Sequence, residues 1–183
     1  MLTGLKDIDL WSAFETGDQR AFAELFRRHY TLLYQYGCKL SVHNTVVEDC
    51  IQELFAELWQ NKPTATIQSV KAYLLTALKY KIFRTYRKAP AQSFEEVNSH
   101  LPFEISHDNF MVSQEEDRLK TNRIITALQQ LPSRQKEIIY LKIYQNLGYD
   151  EISEVMGINY QVARNLFSQS IKSLRKILSG FSS

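Results

Sequence analysis

The sequence has little of what small catalytic or disulfide-bonded proteins need. Its 183 residues include two cysteines, Cys38 and Cys50, and four histidines. A disulfide framework or a zinc site needs more ligands at closer spacing, so we expect both cysteines to be small buried helix residues. The histidines form no motif with a metal spacing or a nucleophile. We therefore expect no enzyme activity, no cofactor and no metal.

Long apolar runs and strand-like patterns are also missing. No stretch approaches the length of a membrane span, and the amino end lacks the basic-then-apolar pattern of a signal peptide. We expect a cytoplasmic protein without membrane insertion. Glycine and proline are scarce, β-branched alternation is absent, and apolar residues recur at helical spacing almost everywhere. The sequence therefore predicts an all-α fold.

Charge and periodicity divide the chain into two small helical domains. Residues 1–90 carry a net charge of +3, whereas residues 91–117 contain seven acidic residues and no basic one. Helical periodicity fails within this acidic stretch, so we expect a linker over 91–112 and a second, basic domain over 113–183. Basic blocks at both ends favour polyanion binding, although a solvated linker alone would also be acidic.

Polar residues before apolar runs predict where helices begin. We expect helices over about 7–16, 21–40, 46–60 and 70–88 in the first domain. The expected N-terminal caps are Asp18, Ser69 and Ser133, together with the capping boxes Thr45–Glu48 and Ser113–Glu116.

The third helix has an acidic face. Four polar residues lie within about 100° of one another on it: Asp49, Gln52, Glu53 and Gln60. Such a face would repel nucleic acid, so it fits a basic protein partner, and it fits a merely solvated surface equally well.

The fourth helix mixes aromatic and basic residues. Between Lys62 and Phe94 there are seven basic residues and no acidic one, and aromatic rings alternate with cations over Lys79–Lys88. Unpaired DNA is held by this combination, because every base has a face for stacking and the backbone needs cations. The alternative is aromatic core packing with snorkelling lysines, and we expect Phe83 to be core.

Residues Leu147–Phe167 predict a helix-turn-helix. Gly157 lies at a sharp turn, and Asn159 can cap the second helix. Along that helix, a set of polar residues lies within about 60° of the direction of Gln161: Arg164, Asn165, Ser168, Lys172, Arg175 and Lys176. This face suits base readout in the major groove. A plain amphipathic hairpin remains an equal alternative on spacing alone.

Together, these segments resemble an extracytoplasmic-function (ECF) sigma factor, a two-domain specificity subunit of bacterial RNA polymerase. The stretches that carry the resemblance are Gly17-Asp18 with Ala21–Phe26, Val47–Trp59, Ala72–Leu74 with Arg84–Lys88, Leu131–Glu137 and Asp150–Lys176. They occur in the family's order and cover nearly the whole chain.

The resemblance implies a role for each segment in promoter-specific initiation. Docking on the clamp helices of the polymerase's largest subunit is implied for Asp49, Gln52, Glu53, Phe55 and Trp59. Contacts to the minus-10 element are implied for Lys79, Tyr80, Arg84, Tyr86, Arg87 and Lys88. Major-groove contacts at the minus-35 element are implied for Tyr160, Gln161, Arg164, Asn165 and Ser168, with Lys172 nearer the phosphates.

Further partners follow from the same resemblance. They are the polymerase flap, the active-site channel toward which the acidic linker would thread, and commonly an anti-sigma protein, whose site no residue here identifies. The chain departs from the family's usual residues at Lys79-Tyr80, Arg84, Asn146, Gly148 and Gln169-Ser170.

Two other functions compete with the sigma-factor interpretation. A free-standing helix-turn-helix regulator would act as a dimer on a palindromic site, and it would leave the acidic third helix and the aromatic-basic fourth helix without a role. An enzyme of nucleic-acid metabolism would need a catalytic carboxylate, cysteine or metal cluster, which the sequence does not offer.

Overall fold

The chain is helical and divides into two compact units. The computed structural model describes residues 4–40, 43–63, 66–87, 102–105 and 115–180, with residues 86, 87 and 115–120 described by their backbone alone. Every regular element in these ranges is a helix, which confirms the predicted all-α fold. The two units are Met1–His100 and Leu101–Ser183. None of the described helices is long and apolar enough to cross a membrane.

The first unit is a bundle of packed helices. Its elements are α1 (Asp7–Glu15), α2 (Gln19–Lys39), α3 (Asn44–Gln60) and α4 (Val70–Arg87). Each of α2, α3 and α4 packs against the other two, and α1 contacts α2 and α4. Two predicted caps are confirmed: Asp18 accepts a hydrogen bond from the Arg20 amide at 2.8 Å, and the Ser69 hydroxyl accepts one from the Ala72 amide at 3.2 Å.

Two other predicted caps are wrong. The helix α3 begins at Asn44, so Thr45 lies inside it, and His43 occupies the cap position without a side-chain hydrogen bond. In the second unit, Pro132 takes the cap position and Ser133 is already helical. In both cases the last extended residue lies before the one that carries the expected hydroxyl. The backbone carbonyls of His43 and Pro132 accept the first hydrogen bonds of the two helices. The predicted capping box at Ser113 lies outside the described residues.

A glycine lies where α2, α3 and α4 meet. A Cβ atom added to Gly37 would overlap Val47 Cγ1 and lie 3.3 Å from Ile82 Cδ1. Glycine therefore permits the close approach of the three helices at this point.

For Gly37→Ala we expect a net loss of up to about 2 kcal/mol of stability. Overpacking costs about 1–3 kcal/mol, whereas the better helix propensity of alanine returns only about 1 kcal/mol. Urea unfolding followed by tryptophan fluorescence measures the change. Gly4→Ala, in the same unit as both tryptophans, is the control, because an added Cβ there meets nothing within 4 Å. An unshifted midpoint for Gly37→Ala would contradict the packing argument.

The second unit is built around its last helix. Its elements are α5 (Glu115–Gln129), α6 (Ser133–Ile139), a π-helical turn (Tyr140–Tyr144), α7 (Tyr149–Met156) and α8 (Tyr160–Gly180). The helix α8 packs against α5, α6 and α7. Gly157 adopts a left-handed conformation with φ of 60°, and the Asn159 side chain accepts a hydrogen bond from the Val162 amide at 2.8 Å. The predicted turn and cap of the helix-turn-helix are confirmed.

Residues 102–105 pack on the second unit, although the sequence predicts linker there. Phe103 is 1% exposed, and its ring centroid lies 5.5 Å from that of Tyr140. Glu104 forms an ion pair with Lys136 at 3.1 Å, and Ile105 is buried. Alternating buried and exposed residues in so short a segment give no helical period, so periodicity could not identify it as packed.

Candidate nucleic-acid and protein interfaces

The acidic face of α3 is solvent-exposed. Asp49, Gln52 and Glu53 are all exposed, on the side of the helix away from Val47, Ile51 and Leu58 in the core. Their exposure follows from the helical period, which turns every third or fourth residue toward the same side. Exposure of this face is compatible with both alternatives from the sequence, a basic protein partner and a solvated surface.

The two aromatic residues assigned to the same interface have different environments. Phe55 is 4% exposed and packs against Phe26 with a centroid distance of 4.9 Å. Trp59 is half-buried, lies 5.1 Å from Phe22, and has the Lys62 ammonium 5.4 Å from its ring centroid. Phe55 is thus a core residue, and its assignment as a direct docking contact is corrected, because a partner cannot reach its ring in this conformation.

A lysine of α4 joins the acidic face to the aromatic-basic helix. Lys81 Nζ lies 3.2 Å from Glu53 Oε2 and 2.7 Å from Glu57 Oε1. Burial by itself lowers the pKa of Lys81, but the hydrogen bonds to Glu57 and Glu53 outweigh it, and the pKa is raised above its usual value. Lys81 therefore stays charged at neutral pH, and the predicted protein-binding and DNA-binding surfaces share this ion pair. We name Lys81, Glu53 and Glu57 the bridge.

The aromatic-basic stretch of α4 is partly inside the unit. Lys79 is 1% exposed, so its assignment as a minus-10 contact is corrected: the helical period turns it into the bundle. Tyr80 is half-buried and Arg84 is exposed, with the guanidinium 6.0 Å from the Tyr80 ring centroid. The side chains of Tyr86 and Arg87, and all of Lys88, lie outside the described part of the chain.

A groove runs between α3 and α4 within the first unit. Its volume is about 710 Å³, and Tyr80, Lys81 and Arg84 form part of one wall while Glu53 and Glu57 form part of the other. An aromatic ring beside a cation is the arrangement that holds an unpaired base and its phosphate. The opposite acidic wall restricts where a nucleic acid would lie.

The helix α8 separates a polar face from a buried back. Ala163 and Ser170 are buried. The residues predicted to contact the minus-35 element are all exposed: Tyr160, Gln161, Arg164, Asn165, Ser168 and Lys172. The structure thus brings together on one surface the complete set that the sequence predicts.

Several side chains on this face of α8 contact one another or a neighbouring helix. Arg164 lies over the Tyr160 ring at 6.0 Å, and Tyr160 packs edge-on against Tyr149 of α7 at 5.7 Å. Gln161 Nε2 donates a hydrogen bond to Asn165 Oδ1 at 3.0 Å. These contacts restrict the side-chain rotamers before any ligand binds, which reduces the entropy cost of binding.

Comparison with known families decides between the competing functions of the whole protein. Residues 25–91 match the model of sigma-70 region 2, and residues 121–174 match that of sigma-70, region 4, in the expected order. The chain belongs to the sigma-70 family. This sigma factor is of the ECF type and directs transcription, and sigma factors are DNA-binding initiation factors rather than enzymes.

Curated relatives of this sigma factor cover most of its length. It is 24% identical over 168 residues to the ECF RNA polymerase sigma factor SigK of Mycobacterium tuberculosis. The matched region covers 88% of this chain and 87% of that protein. It is 23% identical over 146 residues to RNA polymerase sigma factor SigV of Bacillus subtilis, with 80% and 81% covered.

Two solved structures share the fold of this sigma factor. CnrH, in complex with the cytosolic domain of CnrY, matches with a TM-score of 0.63 at 20% identity over 95% of this chain and 97% of that one. RpoE of Bartonella quintana, solved with the anti-sigma factor NepR, matches with a TM-score of 0.58 at 18% identity, with 86% and 96% covered.

Sequence reasoning missed three residues of these surfaces in the sigma factor. Glu57 follows Glu53 by four residues and so lies on the same side of α3, a signal that the spacing already contained. Lys81 could not be assigned, because its partners are 24 and 28 residues away. Val162 is an apolar side chain that is 43% exposed in the first turn of α8, beside the polar face.

Proposed function

We propose that this sigma factor binds promoter DNA through two of its surfaces and core RNA polymerase through a third. The helix α8 enters the major groove of the minus-35 element, α4 captures the minus-10 element, and the acidic face of α3 docks on the basic clamp helices. The observation that carries the proposal is the surface of α8, where every predicted contact is exposed, while the opposite side is buried at Ala163 and Ser170 and half-buried at its other apolar residues.

Polymerase docking through α3 is supported by charge and exposure. Asp49, Gln52 and Glu53 form an exposed acidic and polar surface, and Trp59 offers a partly exposed ring beside it. Complementary charges guide association and fix the register of an interface. Phe55 takes part only indirectly, by fixing the helix in the core.

Minus-10 capture through α4 is supported by the Tyr80 and Arg84 pair, and its energetics require the polymerase. Unstacking ten base pairs costs about 14 kcal/mol at about 1.4 per step, whereas three stacking aromatic residues return about 3–9 kcal/mol. The isolated protein therefore has too little binding energy to hold a bubble open. We expect weak or no promoter binding without core polymerase, and strand opening by the protein alone would contradict this account.

Reconstituted transcription tests the proposal. Purified chain is added to core RNA polymerase on a library of promoter fragments, and the transcripts are sequenced. We expect initiation at a defined subset of fragments only when both components are present. Binding to a palindromic fragment without polymerase, and no transcript with it, would instead support the dimeric regulator.

For Arg164→Ala we expect a loss of about 1–3 kcal/mol in binding of one base pair of the minus-35 element, with relaxed specificity there. The reason is that Arg164 is exposed on the reading face and is oriented by Tyr160. Transcription from promoters with each base at each position measures it, and Arg123→Ala, an exposed arginine of α5, is the control for lost charge. A uniform loss on all sequences with unchanged base preference would refute the readout role.

An anti-sigma protein is a further proposed partner. RpoE of Bartonella quintana was solved with one, and the exposed faces of α3 and α8 offer this chain's surfaces for such a partner.

A further inference from the structure

A glutamine and an asparagine form a pair at the start of α8. Gln161 and Asn165 are one turn apart, both are exposed, and Gln161 Nε2 donates to Asn165 Oδ1 at 3.0 Å. A side-chain amide has one acceptor oxygen and one NH₂ group with two donors. The bond therefore uses one of the two donors of the Gln161 amide.

The remaining edge of Gln161 carries one donor and one acceptor. One N–H is used by Asn165, so the other N–H and Oε1 remain available to a ligand. In the major groove, adenine presents an acceptor at N7 and a donor at N6, whereas guanine presents two acceptors. A fixed donor–acceptor edge therefore matches adenine and leaves a mismatched group against guanine.

The base of the pair is rigid. The Asn159 side chain accepts a hydrogen bond from the Val162 amide at 2.8 Å, and its carbonyl accepts one from the Ala163 amide at 2.9 Å. Ala163 is fully buried. Glutamine is among the side chains that lose most rotamer freedom when fixed, and the bond to Asn165 removes part of that freedom before DNA is bound.

We propose that Gln161 reads one adenine of the minus-35 element and that Asn165 is the positioning residue that holds the Gln161 amide in the reading orientation. This proposal rests on the proposed function, in which α8 enters the major groove. It assigns the two residues to a single base, rather than one base to each.

The test uses polymerase reconstituted with the full chain and a promoter library randomised over the minus-35 element. Wild type should prefer adenine at one position. Both Gln161→Ala and Asn165→Ala should reduce that preference by roughly fivefold to 150-fold, at the same position. Asn165→Asp keeps an oxygen acceptor for Gln161, so it should retain the preference while total transcription falls, since a carboxylate repels phosphate. Gln130→Ala, at an exposed glutamine outside α8, is the matched control.

Base analogues identify the atoms. With wild type, replacing the preferred adenine by 7-deazaadenine removes the N7 acceptor, and replacing it by purine removes the N6 donor. Each should reduce transcription from that promoter by roughly fivefold to 150-fold. With Gln161→Ala, neither analogue should cause a further loss, because the group that bonds those atoms is gone.

The possible failures are distinguishable. Loss of preference at two different positions for Gln161→Ala and Asn165→Ala would show independent reading and overturn the pair. Unchanged preference in both variants, with normal wild-type transcription, would overturn readout by this turn of α8 and leave the proposed function intact. No transcription by wild type from any library member would overturn the proposed function, and this proposal with it.

Discussion

Glu53→Lys is expected to abolish co-purification of the chain with core RNA polymerase, at a cost of about 2–5 kcal/mol in binding. A lysine at this position would place a positive charge against the basic clamp helices, and like charges at an interface cost several kcal/mol. Glu53 is the residue for this test because its side chain is 64% exposed at the centre of the acidic face. Co-purification and a binding titration at two salt concentrations measure the loss.

The bridge makes the choice of controls important for Glu53. A lysine there would also stand beside Lys81, which is 3.2 Å from Glu53 in the wild type. Glu53→Gln removes the negative charge without adding a positive one, so it separates lost attraction from new repulsion. Asp9→Lys reverses an exposed charge on α1 and controls for the change in net charge. Normal co-purification of Glu53→Lys with a folded first unit would refute docking through α3.

Phe103→Ala is expected to destabilise the second unit by about 3–5 kcal/mol. Phe103 is buried against Tyr140, and truncating a buried phenylalanine leaves a cavity of that cost. Tryptophan fluorescence reports unfolding of the first unit alone, because both tryptophans, Trp11 and Trp59, belong to that unit. We expect the urea unfolding curve followed by far-ultraviolet circular dichroism to become biphasic or to shift to a lower midpoint. The midpoint followed by tryptophan fluorescence should stay unchanged.

The matched control for Phe103→Ala is Ile143→Ala. Ile143 is an apolar residue of the same unit but is 62% exposed, so its truncation should change stability by no more than about 0.5 kcal/mol. Equal effects of the two variants, or a fluorescence midpoint that follows the dichroism in Phe103→Ala, would contradict the assignment of residues 102–105 to the second unit.

Local rules predicted the helix-turn-helix because its signals are local. Gly157 is left-handed and Asn159 caps α8, as expected. Two departures from the family are explained by the backbone. Asn146 has a φ of 53°, a conformation that suits the usual glycine and that asparagine tolerates. Gly148 stands at the cap of α7 without a hydroxyl, and Glu151 instead accepts a hydrogen bond from its amide at 2.8 Å.

The errors arose where the outcome depends on packing between elements. The sequence shows that Phe55 and Lys79 lie on helices with polar and aromatic neighbours, but only the arrangement of α2, α3 and α4 decides that both are inside. Residues 102–105 contain a Pro and an acid and were assigned to the linker for that reason. Their burial depends on contacts with Gln129, Lys136 and Tyr140 of later helices in the same unit, which composition does not describe.

The bridge has a thermodynamic consequence for the order of assembly. Glu53 and Glu57 partly neutralise the charge of Lys81, so a basic partner that binds Glu53 would leave Lys81 less neutralised and raise its affinity for an anion. Linkage of this kind is reciprocal. DNA that binds Lys81 would raise the affinity of Glu53 for the basic partner by the same factor. Under the proposed function, this ion pair within the first unit would couple the two binding equilibria, and each ligand would raise the affinity for the other without any change of fold.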